Sequence, residues 1–236
     1  EMKWYDYWKT LRTKWHQNLG LGQELYRFHD HLKLAHYANA ACDIEYKFPM
    51  GFKELEGIHS RTDFDLKQHE QYSGKKLQFF DPELNQSYVP YVVETSVGLD
   101  RMFLAVLSAA YQEETLEDGS ERVVLKIPAV LAPYKAAILP LIKKDGLPEK
   151  AREIMAQLQL EYSVLYDEKD SIGKRYRRQD AIGTPFSITV DHQTLEDQTV
   201  TIRDRDTMTQ DRISIAELEG VIAQKASWKS VLLGLR

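Results

Sequence analysis

The chain has 236 residues, of which 43% are apolar, and its 31 Lys and Arg face 36 Asp and Glu for a formal net charge of −5. This length and composition exclude wholesale disorder and favour two domains. No apolar run approaches the ~20 residues of a membrane span, and the N-terminal stretch lacks a signal-peptide pattern, so we expect a soluble, cytoplasmic protein. The only cysteine, Cys42, cannot form an internal disulfide, which fits a reducing compartment.

The elements of the first half are predicted from the spacing of apolar residues. Period-three and period-four spacing predicts helices, alternation predicts strands, and a long apolar run before a polar segment predicts a buried helix. The predicted helices are 5–19, 23–37 and 98–114; the predicted strands are a pair within 43–58 and a further strand at 88–96. Together they indicate an α+β domain.

An acidic, glycine-containing segment at 113–122 is predicted to be the linker between two domains, 1–121 and 122–236. Beyond it, strands alternate with helices, which indicates an α/β domain with a mixed sheet. Strands are predicted at 123–131, 162–167, 185–191 and 198–206, and helices at 133–143, 148–162, 171–183 and 214–235.

The two halves carry different charge. Residues 1–121 hold 13 Lys and Arg against 20 Asp and Glu, whereas residues 122–236 hold 18 against 16. The second half is therefore the likelier side to meet phosphates, although unequal charge between domains is common on solvated surfaces.

Glu94 and Ser96 lie two residues apart on a predicted strand and therefore project to one face. Gly98 then opens a helix with Asp100 and Arg101 in its first turn. A carboxylate beside a hydroxyl suits a substrate ammonium group, and helix N–H groups with an arginine suit a phosphate. A capped helix with Arg101 in an ordinary salt bridge is the structural alternative.

Charged residues are also concentrated between 52 and 65. On a regular strand Phe52, Glu54 and Glu56 share one face, so two carboxylates are expected to meet a magnesium ion or an amine there. An exposed strand edge protected by charge explains the same pattern. His29, His36 and Cys42 lack a second cysteine or a tightly spaced ligand pair, so no metal site is predicted among them.

A basic segment in the second half could bind RNA. Arginine clamps phosphates or stacks on unpaired bases. The candidates are Arg175, Arg177, Arg178 and Gln179 on one short helix, and Arg203 and Arg205 at a strand end. A solvated helix paired with neighbouring aspartates is the alternative.

Two segments resemble a known family. The run 53–69 (KELEGIHSRTDFDLKQH) followed by 89–101 (VPYVVETSVGLDR) resembles the region of glycyl-tRNA synthetases that contains motif 3 of class II aminoacyl-tRNA synthetases. The remainder is similar to the family's anticodon-binding domain through segments such as LAPYKAAILPL and SIGKRYRRQDAIGTPF. The resemblance implies part of an antiparallel-sheet catalytic domain followed by a mixed-sheet anticodon-binding domain.

Site residues follow from this resemblance by position. The glycine site would comprise Glu94, Thr95, Ser96, Val97 and Gly98; the ATP site would comprise Glu54, Leu55, Gly98, Leu99, Asp100 and Arg101. Arg101 and Glu54 would be catalytic, with Glu54 helping to hold Mg²⁺, and tRNA would meet Arg175, Arg177, Arg178, Gln179 and Arg203. Thr95 stands where the family often has proline, and Phe52 where it often has tryptophan.

The resemblance implies a glycine–tRNA ligase that uses ATP, glycine and tRNA(Gly) and works as a homodimer. Motif 1 and the motif 2 arginine would precede Glu1, so the chain is expected to be a C-terminal fragment that is inactive alone. A non-catalytic RNA-binding paralogue on the same domains is the alternative, but such proteins typically lose the substrate residues, and Glu54, Glu94, Ser96 and Arg101 are present.

Overall fold

The computed structural model describes residues 1–235, and the chain divides into two compact units within a helix, after Ala105. The first unit, Glu1–Ala105, begins with helix α1 and contains a four-stranded antiparallel sheet of order β1-β2-β3-β6. Its elements are α1 (Met2–Asn18), β1 (Tyr26–Asp30), β2 (Ala40–Phe48), β3 (Gly51–Ser60), α2 (Phe64–Ser73), β4 (Phe79–Asp81), β5 (Gln86–Tyr88), β6 (Val93–Val97) and α3 (Leu99–Ala110).

Helix α1 covers one face of this sheet. Tyr5 of α1 packs on Cys42, Ile44 and Ile58, which alternate along β2 and β3 and form a small buried core. The predicted strand pair is confirmed, with Met50 and Gly51 at its turn and a φ of 98° at Gly51 that favours glycine. We call the opposite face of the sheet, away from the α1 core, the polar face.

The helix predicted at 23–37 is wrong. Residues Gln23–Leu25 form one 3₁₀ turn, and β1 then pairs antiparallel with β2. Tyr26 and Phe28 alternate with Arg27 and His29, a period-two pattern, and pairing with β2 decides the conformation.

The second unit, Val106–Gly234, holds a five-stranded mixed sheet of order β10-β9-β11-β12-β13 and a separate hairpin. The hairpin is β7 (Tyr111–Thr115) with β8 (Glu121–Leu125). The other elements are β9 (Ala136–Pro140), α4 (Leu147–Leu158), β10 (Val164–Tyr166), α5 (Ile172–Ile182), β11 (Phe186–Val190), α6 (His192–Asp197), β12 (Thr199–Asp204), β13 (Gln210–Ser214), α7 (Leu218–Ala226) and α8 (Trp228–Leu233).

Strands β9, β10 and β11 run parallel, and β12 and β13 are antiparallel additions, as the mixed-sheet prediction requires. One face of the sheet forms the largest core with α4 and α7, through residues such as Ile138, Ile188, Ile154 and Ile222. No helix among residues 1–235 combines the length and apolar character needed to cross a bilayer.

Three predictions in this half need correction. The segment 133–143 contains the interior strand β9 rather than a helix, because a strand covered on both faces is apolar throughout. The predicted linker is the β7–β8 hairpin, whose turn uses Gly119 at a φ of 78°. The final helix is interrupted at Ser227, whose backbone is extended. The predicted boundary after residue 121 thus falls inside the hairpin, and the assignment of 1–121 to a catalytic domain stays a prediction.

Candidate functional site

Strand register brings the predicted substrate residues together on the polar face. Glu94 lies opposite His59, and Ser96 lies opposite Gly57, which in turn faces Asp43 on β2. Thr95 and Val97 are opposite Ile58 and Glu56 and therefore belong to the α1 face. Among the β6 residues predicted to bind the substrate glycine, only Glu94 and Ser96 project from the polar face, where a substrate on that face would contact them.

A β-bulge separates the two glutamates that a regular strand would align. Ile44 pairs with Glu56 and Glu45 pairs with Glu54, so Leu55 is the extra residue and is buried. Glu54 therefore lies on the polar face and Glu56 on the α1 face. The prediction that they share a face is wrong, because one inserted residue reverses the alternation of side chains.

Glu56 is buried and serves to attach α1. Its carboxylate accepts hydrogen bonds from Arg12 Nη2 at 2.9 Å and lies 2.7 Å from His16 Nε2. Burial by itself raises the pKa of Glu56, but the hydrogen bonds from His16 and Arg12 outweigh it and hold the pKa below its usual value.

Glu54 and Arg101 meet at the wall of an open cleft. Arg101 Nη1 donates to the Glu54 carbonyl oxygen at 2.6 Å and lies 3.4 Å from Oε2 of the same residue. The cleft has a volume of about 430 Å³ and is lined by Phe48, Met50, Lys53, Glu54, Arg101 and Leu104. Both charged side chains are 53% exposed, so an anionic ligand can reach them. Leu99 and Asp100 are also exposed at the start of α3.

Arg61 is a site residue to which sequence reasoning gave no role. Its Nη1 donates to Glu94 Oε2 at 2.6 Å, its Nε and Nη2 bind Asp65, and its guanidinium lies 4.1 Å from the centre of the Tyr37 ring. The hydrogen bond from Arg61 lowers the pKa of the Asp65 carboxyl. In the sequence, the four-residue spacing of Arg61 and Asp65 near the start of α2 is the pattern that indicates this ion pair.

A group of histidines also lies on the polar face and was not predicted. His31 Nε2 is 2.8 Å from Asp43 Oδ2, and the His31 and His59 rings are 6.0 Å apart. The His59 ring occupies the space beside Gly57, where a Cβ would stand 2.8 Å from His59 Cε1. A glycine at 57 therefore lets this imidazole lie against the strand.

In the second unit, three of the predicted RNA contacts are buried. Arg175 is 2% exposed and donates to the carbonyl oxygens of Pro140 and Leu141, and Gln179 accepts from Thr184. Arg203 binds both oxygens of Asp180, at 2.7 and 3.0 Å. Apart from Arg175 Nε, which has no partner among the described residues, the hydrogen bonds of these side chains go to the fold itself, and their burial leaves RNA no surface to contact.

Arg177 and Arg178, on the same helix, are exposed. Their side chains are 42% and 40% accessible, with Arg178 paired to Asp167 and Asp170 and Arg177 3.7 Å from Asp180. Arg205 is buried like Arg203 and donates to Ile127 and Gly183. Within α5 the sequence showed three equivalent arginines, and only helical phase separates the buried Arg175 from the exposed Arg177 and Arg178.

A family model for the anticodon binding domain matches residues 135–225. The chain is also similar to glycine–tRNA ligases from Chlorobaculum tepidum (51% identity over 95% of this chain and 48% of that protein), Geobacillus thermodenitrificans (52% over 97% and 49%) and Staphylococcus haemolyticus (51% over 97% and 50%). The chain thus spans about half the length of these curated relatives.

The match covers the five-stranded mixed sheet, so the second unit contains an anticodon-binding domain. Identity near 50% over almost the whole chain then places it with one group of such proteins: the chain is a homologue of the glycine–tRNA ligases.

Proposed function

We propose that this chain is part of a glycine–tRNA ligase, with the polar face holding glycine, the cleft beside α3 holding ATP and the second unit binding tRNA(Gly). The observation that carries the proposal is the placement of Glu94 and Ser96 together on this face in a chain that matches glycine–tRNA ligases along nearly all its length.

Glycine binding rests on Glu94. Its Oε2 is held by Arg61, and no described residue takes Oε1, which remains available to a substrate ammonium group. Ser96, two residues along the same face, supplies a hydroxyl to the same group. A charge-assisted hydrogen bond to a preoriented carboxylate is stronger than one to a neutral acceptor.

ATP binding rests on the cleft beside α3. Arg101 presents an exposed guanidinium at the start of this helix, where N–H groups and the helix dipole favour phosphate. Glu54 is the carboxylate that would hold Mg²⁺; an exposed single carboxylate fits an ion that usually takes one or two together with substrate phosphates. Magnesium bound there would neutralise charge on the phosphates. Glu56, committed to Arg12 and His16, is not part of this set.

In the proposed reaction the glycine carboxylate attacks the α-phosphorus of ATP and pyrophosphate leaves. A terminal ribose hydroxyl of tRNA then attacks the carbonyl carbon of the glycyl-adenylate, and AMP leaves. No side chain acts as nucleophile, so the residues contribute position and charge stabilisation. From the same resemblance we propose that the whole protein acts as a cytoplasmic homodimer.

The test is aminoacylation by the full-length protein that contains this chain. Labelled glycine, with alanine as a matched competitor, is offered with tRNA(Gly) transcripts bearing the native or an altered anticodon. Glycine-specific, anticodon-dependent charging is the expected result. A protein that binds the tRNA but charges no amino acid would instead be a non-catalytic RNA-binding paralogue.

A further inference from the structure

Asp43 lies on the polar face, in line with a residue proposed to bind glycine. Its neighbours on β2, Cys42 and Ile44, belong to the core beneath α1, so the Asp43 side chain points to the opposite face of the sheet. Ser96 on β6, Gly57 on β3 and Asp43 on β2 lie directly opposite one another and form one line across that face. The function proposed above gives Asp43 no role.

One carboxylate oxygen of Asp43 is held by the protein and the other is not. Asp43 Oδ2 lies 2.8 Å from His31 Nε2, a contact that fixes the direction of the carboxylate. Oδ1 accepts no hydrogen bond from any described residue, and it lies 3.7 Å from the point where a Cβ at position 57 would stand. The side chain is 12% exposed, and Oδ1 is not among the described buried atoms that lack a partner. Oδ1 therefore points from β2 toward β3 and can accept a hydrogen bond from a ligand on the polar face.

The polar face between Ser96 and Asp43 has room for a substrate group. Adjacent strands lie about 4.8 Å apart, so the backbones at these two residues are about 10 Å apart. The residue between them is Gly57, which has no side chain, and the His59 ring lies beside it. The floor of this space is therefore formed by the backbone of β3 and the His59 ring.

The proposed transfer step requires a ribose close to this space. The glycyl carbonyl carbon is about 2.5 Å from the glycyl nitrogen, because two covalent bonds separate them. A ribose hydroxyl must approach that carbon to about 3 Å. With the nitrogen at Glu94 and Ser96, a glycyl group extended along the line toward β2 places the attacking hydroxyl about 6 Å from Ser96. The neighbouring hydroxyl of the same ribose then lies near Asp43.

We propose that Asp43 binds the terminal ribose of tRNA(Gly), with Oδ1 accepting a hydrogen bond from the hydroxyl that does not attack. A carboxylate holds a ribose hydroxyl in the same way in dinucleotide-binding folds. In the transfer step the other hydroxyl forms the ester bond to the glycyl carbonyl carbon, and the bond from that carbon to the AMP oxygen breaks. AMP leaves with the electron pair and the hydroxyl proton passes to water, so Asp43 takes no proton. This proposal rests on the proposed function and adds a residue that positions the tRNA end.

The test measures the two steps separately in the full-length protein that contains this chain. Single-turnover transfer of glycine from the adenylate to tRNA(Gly) reports the ribose contact, and glycine-dependent ATP–pyrophosphate exchange reports adenylate formation. In Asp43→Ala we expect transfer to fall about tenfold, the effect of one hydrogen bond to a charged group, with exchange unchanged. Asp30→Ala removes the same group from the α1 face, where Asp30 pairs with Lys9, and should change neither step.

A tRNA that lacks one terminal hydroxyl distinguishes a ribose contact from a structural effect. Of the two such tRNAs, the one that is still charged lacks the hydroxyl that does not attack. With this tRNA, the parent and Asp43→Ala should transfer glycine at the same reduced rate, because the contact is absent from both.

Asp43→Asn keeps the shape of the side chain and serves as a second variant. Its neutral oxygen is a weaker acceptor, so transfer of native tRNA should fall about threefold with exchange unchanged. Parent-like transfer in both variants, or equal losses of transfer and exchange in both, would overturn the proposal while glycine exchange by the parent upheld the proposed function. A parent without glycine-dependent exchange would overturn the proposed function and this proposal with it.

Discussion

Arg61 connects three parts of the first unit, because one guanidinium binds Glu94 on β6 and Asp65 on α2 and stacks on Tyr37. The ion pair fixes the direction of the Glu94 carboxylate. We regard Arg61 as a positioning residue for glycine rather than a group that touches it.

Replacing Arg61 tests this role. Arg61→Lys keeps the charge but loses the planar fork that binds both carboxylates, so the KM for glycine should rise about tenfold while the KM for ATP stays near the parent value. Steady-state ATP–pyrophosphate exchange measures both constants. Lys67→Met, which removes an exposed partner of Asp63 on the same helix, is the control. Equal changes in both KM values would show a general structural defect instead.

The proposed role of Arg101 in binding ATP is tested separately. Arg101→Lys cannot keep both the contact to the Glu54 carbonyl oxygen and a bidentate hold on phosphate, so exchange activity at saturating glycine should fall about a hundredfold. Circular dichroism should show an unchanged fold. Arg152→Lys, an equally exposed arginine in the second unit, should have no effect. Parent-like activity of Arg101→Lys would reduce Arg101 to a salt-bridge partner.

At the scale of the element, the bulge at Leu55 places Glu54 and Glu56 on opposite faces of the sheet, so the two carboxylates have different roles. Glu56→Gln leaves Arg12 and His16 without their carboxylate and should lower the free energy of unfolding by about 3 kcal/mol. Glu54→Gln, two residues away and exposed, should be nearly neutral for stability. Urea unfolding of the two variants measures this, and similar losses in both would contradict the assignment of faces.

The interactions of Glu56 also predict how the free energy of unfolding depends on pH. Because the pKa of folded Glu56 is lowered, its stabilisation is complete above the ordinary carboxyl value of 4.5 and is lost as the pH falls through the lower folded value. The parent should therefore lose stability on acidification more steeply than Glu56→Gln. Parallel stability profiles below pH 4.5 would exclude this carboxylate as the cause.

The second unit contains both exposed and structural arginines: Arg178 on α5 is exposed, whereas Arg203 on β12 is buried against Asp180. Arg178→Ala should weaken tRNA binding and reduce its salt dependence, whereas Arg203→Ala should destabilise the domain by leaving Asp180 short of its bidentate partner. Filter binding together with thermal unfolding distinguishes the two. If Arg178→Ala bound tRNA like the parent, the RNA surface would lie elsewhere on the unit.

Sequence patterns predicted some elements and not others for identifiable reasons. The strand pair around Gly51 and helix α4 follow from local periodicity, which the structure retains. The bulge at Leu55 depends on pairing with β2, and strand β9 is apolar on both faces, which a single sequence does not distinguish from a buried helix. Glu94 and Ser96 were placed by strand alternation, whereas the contact from Arg61 depends on tertiary structure.

At the scale of the whole molecule, the chain matches about half of each ligase relative. We expect the 236 residues alone to bind tRNA, because the second unit presents the exposed arginines Arg177 and Arg178, whereas adenylate formation is a property proposed for the full-length protein. This stays a prediction until the chain and the full-length protein are compared in the same exchange assay.

The central claim is that Glu94 on the polar face binds the ammonium group of glycine. It is tested most directly by glycine titration of ATP–pyrophosphate exchange in the full-length protein carrying Glu94→Gln, with Glu83→Gln on the β4–β5 turn as the control. The account predicts a KM for glycine raised about a hundredfold in Glu94→Gln, near 3 kcal/mol for a lost charged hydrogen bond, and no change in the control. A parent-like glycine titration in Glu94→Gln would contradict it.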